Sequence, residues 1–193
     1  MKKSIYVFLL VGILVINGCA YISQQVKIMP DLYVPESNVG QGKNVILKVK
    51  DERSDKILGH RGSGFGKAAA ITNEQDIPAI VQDEIIKGLQ KKGFISVSSD
   101  SDTKRILNVE IRLIEYSTSI GFWTGGIQTK ATLKAIASNN GKIYENLYRI
   151  NNEKRVVIVP AANENERLVN EVITQVLEEL FRDENLFSFL ASE

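Results

Sequence analysis

The chain has 193 residues, 44% of them hydrophobic and 24% charged, which suits one folded domain with a real core and sets wholesale disorder aside. A formal net charge of +1 argues against bulk electrostatic binding of nucleic acid or anionic lipid. One cysteine and one histidine exclude an intrachain disulfide, a four-cysteine zinc centre and a histidine-rich metal site.

Lys2 and Lys3 open the chain, and an apolar run follows from Ile5 to Ile16. A spanning helix needs about 20 residues, so this run predicts the core of a signal peptide instead of a membrane span. It ends Ile16-Asn17-Gly18-Cys19, which resembles a bacterial lipobox: an aliphatic residue three before the cysteine and a small one directly before it. Asn17 departs from the commonest small residue at its place. Diacylglyceryl transfer needs a thiol held at the membrane surface, and cleavage between Gly18 and Cys19 needs a small residue at the cut. A signal peptide is therefore expected over 1–18 and lipidation at Cys19. One acyl chain anchors marginally and several anchor stably, so the mature chain is expected to sit on a membrane through Cys19 without spanning it. Loss of Lys2 and Lys3 with the leader leaves 22 basic against 23 acidic residues. Ala20 stands where, in enteric-type lipoproteins, an Asp signals inner-membrane retention; that likeness implies the outer membrane, periplasmic face.

From residue 19 to 43 the chain carries Pro30, Pro35, Gly40 and Gly42 with no sustained period, and reads as a lipidated N-terminus and tether with one extended piece at 31–34. Fully extended, such a tether spans at most ~80 Å. The folded domain is expected over 44–193. Val45, Leu47 and Val49 alternate as a strand with one buried face. Ile77, Ile80, Val81, Ile85 and Leu89 recur at helical spacing, with Asp76 as cap, Pro78 in the first turn and Gly93 as terminator. "GFISVSSDSD" after it reads as a short strand and a loop. Leu107, Val109, Ile111 and Leu113 alternate, as do Ala131, Leu133, Ala135 and Ala137. Asn140-Gly141 marks a hairpin turn. Strands are expected at 142–150 and 154–159, and Asn163 with Glu166 reads as a capping box. Leu168, Val169, Val172, Ile173, Val176, Leu177, Leu180 and Phe181 form an apolar stripe that predicts a helix over 164–182. The sum is an α+β two-layer sandwich, a mostly antiparallel sheet with two amphipathic helices on one face.

Chemistry-bearing patterns are few. In "GHRGSGFGK", Gly62, Gly64 and Gly66 precede Lys67, but Arg61 and Ala68 occupy positions where a phosphate loop needs Gly and Ser or Thr. A serine triad would have to use His60 inside that glycine stretch, and lipid consumes the lone thiol. Asp51, Glu52 and Asp55 around Arg53 read as a solvated charged turn. No catalytic residue, cofactor site or metal site is expected. Phe122 and the sole tryptophan, Trp123, lie between two long alternating strands among Gly121, Gly125 and Gly126. At a hairpin tip they would be a candidate partner contact or membrane-interface contact; folded back, they would pack on the sheet.

The lipobox, "VPESN", "VILKVKDERSDKILGHR", "AAITNEQDI", "GLQKKGF", "KATLKAIASNNGKIYENLY" and "NEVITQVLEEL" followed by "LFSFL" resemble the YajG family of bacterial lipoproteins over nearly the whole chain from Cys19. The family has no established enzymatic role, so the resemblance implies location more than mechanism. The expectation is a non-enzymatic, outer-membrane-anchored lipoprotein whose periplasmic domain binds an envelope component, with an envelope protein as partner and no nucleic acid. The alternative is a carrier for a small amphiphile such as a lipid, held between sheet and helices.

Overall fold

The computed structural model describes residues 22–61, 69–99, 101–120, 125–156 and 160–193. In chain order its elements are β1 (Gln24–Gln25), β2 (Asn44–Asp51), β3 (Gly59–Arg61), β4 (Ala69–Thr72), α1 (Ile77–Lys91), β5 (Ile95–Val97), β6 (Ile106–Ile120), β7 (Gly125–Asn139), β8 (Lys142–Val156), α2 (Ala162–Arg182) and α3 (Glu184–Ala191). They form the expected α+β arrangement, one sheet with the helices packed on one face. The described helices number three, one more than the periodicity predicts.

The sheet is mixed. Its long pairings, β6 with β7 and β7 with β8, are antiparallel as expected. Parallel pairings join β2 to β5, β2 to β6, β3 to β6 and β1 to β4. The physical reason is the crossover: α1 packs on β2 and returns the chain in the direction of β2, which parallel strands require. The two strands expected at 142–150 and 154–159 are one through Val156, and 157–159 lie outside the described residues. Asn140 and Gly141 both have positive φ, 49° and 81°, the geometry of a two-residue hairpin turn.

Strand β6 carries a bulge between Ile111 and Leu113. Leu107, Val109 and Ile111 point into the core, but past the bulge the inward positions become Ile114 and Tyr116. Leu113 therefore lies on the outer, half-buried side, against the simple alternation. One extra residue inverts the face because side chains alternate with period two.

Helix ends follow local chemistry. Asp76 accepts from Ala79 N at 3.1 Å and caps α1. At its other end Gly93 N donates to Gln90 O and Phe94 N to Leu89 O, with Gly93 at φ 82°, the Schellman pattern. The capping box expected at Asn163 and Glu166 does not form. Helix α2 starts one residue before Asn163, whose side chain accepts from Glu164 N at 2.9 Å, while Glu166 turns to Lys27 N at 2.8 Å.

That last contact overturns most of the tether expected over 19–43. Its described part, from residue 22, is a strap seated in the groove between α1 and α2. Val26, Ile28 and Val34 are only 3%, 1% and 3% exposed. Alternate backbone N–H groups of Lys27, Met29, Asp31 and Tyr33 donate to Glu166, Asn170, Thr174 and Glu178 of α2. Two extended residues advance about 6.7 Å and four helical residues about 6 Å. A strand can thus match every fourth helix position for a few steps. The opposite edge of the strap bonds Thr72 O, Gln75 and Asn73. Proline and glycine lower the local period, which is why this segment reads as a linker.

Candidate functional site

Residues Gly18, Cys19, Phe122 and Trp123 lie outside the described residues, as do Gly62, Gly64, Gly66 and Lys67. The strands around the aromatics are described to their ends: β6 and β7 pair through Ile120 and Gly125. Phe122 and Trp123 thus fall in the sequence between β6 and β7, two of the three 15-residue strands. Inward positions of both strands are already filled by Leu107, Val109, Ile111, Tyr116, Ile127, Ala131, Leu133 and Ala135.

The charged cluster "DERSD" forms a structural ion pair. Arg53 Nε and Nη2 donate to the two carboxylate oxygens of Asp51 at 2.8 and 2.9 Å. Those hydrogen bonds from Arg53, helped by Lys56 and opposed by burial, hold Asp51 down at about 2. The guanidinium is buried, and its Nη1 has no hydrogen-bond partner among the described residues. Arg53, His60 and the bulge residue Arg112 line a cleft of about 370 Å³ with Ser54, Asp55 and Glu115. Acids accompany the cations there, and Glu110 takes the Arg112 guanidinium. Among the described residues no group of three or more His, Cys, Asp or Glu could hold a metal ion.

Two polar centres escape the sequence pattern. Tyr116 OH donates to Asn165 Oδ1 at 2.6 Å, and Asn165 Nδ2 and Arg61 Nη1 both donate to Gln24 Oε1 at 2.9 Å. Burial pushes Tyr116 up to about 12, so its hydroxyl stays a donor. This network ties β1, β3, β6 and α2 together around the chain's entry to the domain. The second centre is Asp183, between α2 and α3. It accepts from Tyr144, Asn146, Tyr148 and the backbone N–H of Leu186. Burial would raise its pKa, but hydrogen bonds led by Tyr148 and Asn146 outweigh it and lower the value. Burial and the carboxylate push the Tyr148 pKa up. A carboxylate so fully engaged is a corner brace and no free base. Asp followed by Glu184-Asn185-Leu186 is an N-cap signal for α3 that sequence reasoning passes over.

A cleft of about 820 Å³ lies between the strap and α1, lined by Leu32, Val34, Glu36, Glu84, Lys87 and Lys91 among others. It is a surface groove. The space between sheet and helices is filled by one continuous cluster of aliphatic and aromatic side chains. No described helix is long and apolar enough to cross a membrane.

No functionally curated protein is significantly similar to the chain in sequence. Among solved structures, a neuraminyllactose-binding hemagglutinin homolog from Helicobacter pylori is similar at 10% identity and a TM-score of 0.48, covering 86% of this chain and 96% of that one. A minor lipoprotein from Acinetobacter baumannii is similar at 9% identity and 0.45, covering 80% and 95%. Lipoprotein GNA1162 from Neisseria meningitidis is similar at 11% and 0.34, covering 71% and 99%. A family model described as uncharacterized lipoprotein matches residues 30–191, so the strap's second half, the sheet from β2 onward and all three described helices fall within the match, and the chain belongs to this lipoprotein family, the YajG family.

Proposed function

We propose that this lipoprotein is anchored through acylated Cys19 at the periplasmic face of the outer membrane, and that its domain is a non-enzymatic module binding another envelope protein. Ala20 supports the outer-membrane address through the sorting rule of similar lipoproteins. The observation that carries the binding reading is the completeness of the described core. Buried inward positions run from Leu107 to Tyr116 on β6 and from Ile127 to Ala137 on β7, and on this reading the core is built from them and Phe122 and Trp123 serve recognition. Aromatic anchors commonly dominate protein interfaces.

The amphiphile carrier is the weaker reading. Tyr116, Phe94, Leu107, Ile111, Ile173 and Leu177 are fully buried between sheet and helices, and a lipid tail would have to displace them. Photo-crosslinking in intact cells from a probe at the exposed Ser119, close to the aromatics in sequence, tests the leading reading. A discrete protein adduct that disappears when both aromatics are replaced by Ser is the expected result. Adducts to lipid alone, or none, refute it.

A further inference from the structure

We infer that the domain does not hang on a long leash but is held close to the bilayer, with the end of the sheet that carries Ile120 and Gly125 facing the lipid headgroups. The inference rests on the anchor reading for Cys19 and goes beyond it by orienting the domain; the envelope protein proposed to bind at this end is then one that sits in the same membrane.

The strand register carries the argument. Strand β6 runs toward Ile120, and Gly59 of β3 pairs with Tyr116 in the same direction. Strand β4 runs back from Ala69, and β1 is parallel to β4 with Gln24 beside Ile71. Ile71 also pairs with Gly59. Gln24 therefore sits at the level of Tyr116, and the chain before it heads toward the Ile120 end. Val156, the last residue of β8, pairs with Gly125 at that same end. The turn at Asn140 and Gly141 closes the opposite end.

The strap then sets the distance. From Gln24 onward the backbone is bonded on both edges, to β4 and Gln75 on one side and to α2 on the other. Five residue steps separate Cys19 from Gln24, at most about 18 Å of chain. The sheet from Arg155 to Lys142 is about 44 Å long. So short a link cannot carry the far end to the membrane while the near end swings away. Ile22, 63% exposed, lies on this link and suits the apolar side of a headgroup layer.

The test uses the full-length lipidated chain in vesicles of phosphatidylethanolamine and phosphatidylglycerol, purified by flotation. One fluorophore is placed on Ser119→Cys and, in a second protein, on Lys142→Cys; both positions are exposed and lie at opposite ends. Headgroup-nitroxide lipid should quench the Ser119 probe several-fold more than the Lys142 probe. Inserting about twenty Gly and Ser residues after Ala20, a coil of roughly 25 Å, should erase the difference. Equal or reversed quenching in floated protein overturns the orientation while leaving the anchor standing. A persistent difference after the insertion shows that the short link is not what orients the domain, and overturns the inference too. Failure to float removes the anchor and the orientation together.

Discussion

Asn170 offers both ends of its amide to the strap: its Oδ1 accepts from Met29 N at 2.6 Å and its Nδ2 donates to Lys27 O at 2.8 Å. A side chain of α2 thus does what a neighbouring strand would do for residue 28. Gln75 does the same from the other side, accepting from Ile28 N at 2.6 Å. The strap is an extended segment whose partners on these edges are mostly side chains: these two amides, Asn73, the carboxylates of Glu166 and Glu178 and the hydroxyl of Thr174.

Replacing Asn170 by Leu removes both bonds and keeps the volume. We expect a loss of about 1–2 kcal/mol, two exchanged hydrogen bonds' worth. Tryptic cleavage after the exposed Lys27 should accelerate by more than global unfolding explains. Unchanged proteolysis and stability would show that the apolar residues hold the strap alone.

Gly88 in α1 lies under the ring of Phe181 in α2, and a methyl group there would fall 2.1 Å from Phe181 Cζ. Gly88→Ala should gain about 1 kcal/mol of helix propensity. It should lose more through overpacking, for a net destabilisation of about 1–2 kcal/mol. Chemical denaturation reads the sign directly.

Asp183→Ala should be costlier. It removes the cap of α3 and strands the hydroxyls of Tyr144 and Tyr148. Cap loss and orphaned donors together amount to about 2–4 kcal/mol. Asp183→Asn, which keeps one acceptor oxygen, should fall between. Near-ultraviolet circular dichroism of the two tyrosines should change in step with stability.

The ion pair of Asp51 with Arg53 makes a pH prediction. The folded pKa of Asp51 is lowered from 3.8 to about 2. Its stabilisation is therefore complete above the unfolded value and is lost as pH falls through the folded one, a window of about pH 4 to pH 2. Arg53→Met should flatten that part of the stability profile. An unchanged profile would place the acid-labile contribution elsewhere.

Cys19→Ser should abolish incorporation of a fatty-acid analogue and leave the leader uncleaved. Equal label on both proteins would refute Cys19 as the acceptor. Ala20→Asp should move the protein from outer- to inner-membrane fractions in an enteric host; no shift would refute the address.

Several elements were legible because their signals are local. Asp76, the apolar spacing from Ile77 to Leu89 and Gly93 specify α1 without help from the rest of the chain. The stripe from Leu168 to Phe181 does the same for α2, and Asn140-Gly141 for the β7–β8 turn. The lipobox likeness depends on residue order alone, as does family membership.

What depends on distant partners was not legible. The bulge at Arg112 turns Leu113 outward, and only pairing with Leu133 and Thr132 shows it. Glu166 resembles a cap from its spacing to Asn163, yet it bonds Lys27, 139 residues away. The network of Gln24, Arg61, Tyr116 and Asn165 joins four segments that no window contains. By itself the sequence determined the class, the long strands, the two longer helices and the candidate anchor, since period and capping act within a few residues. Only the tertiary structure decided that residues 24–43 are a strap instead of a leash. Their irregular backbone has no period of its own and finds its hydrogen bonds on helices and strands formed elsewhere in the chain.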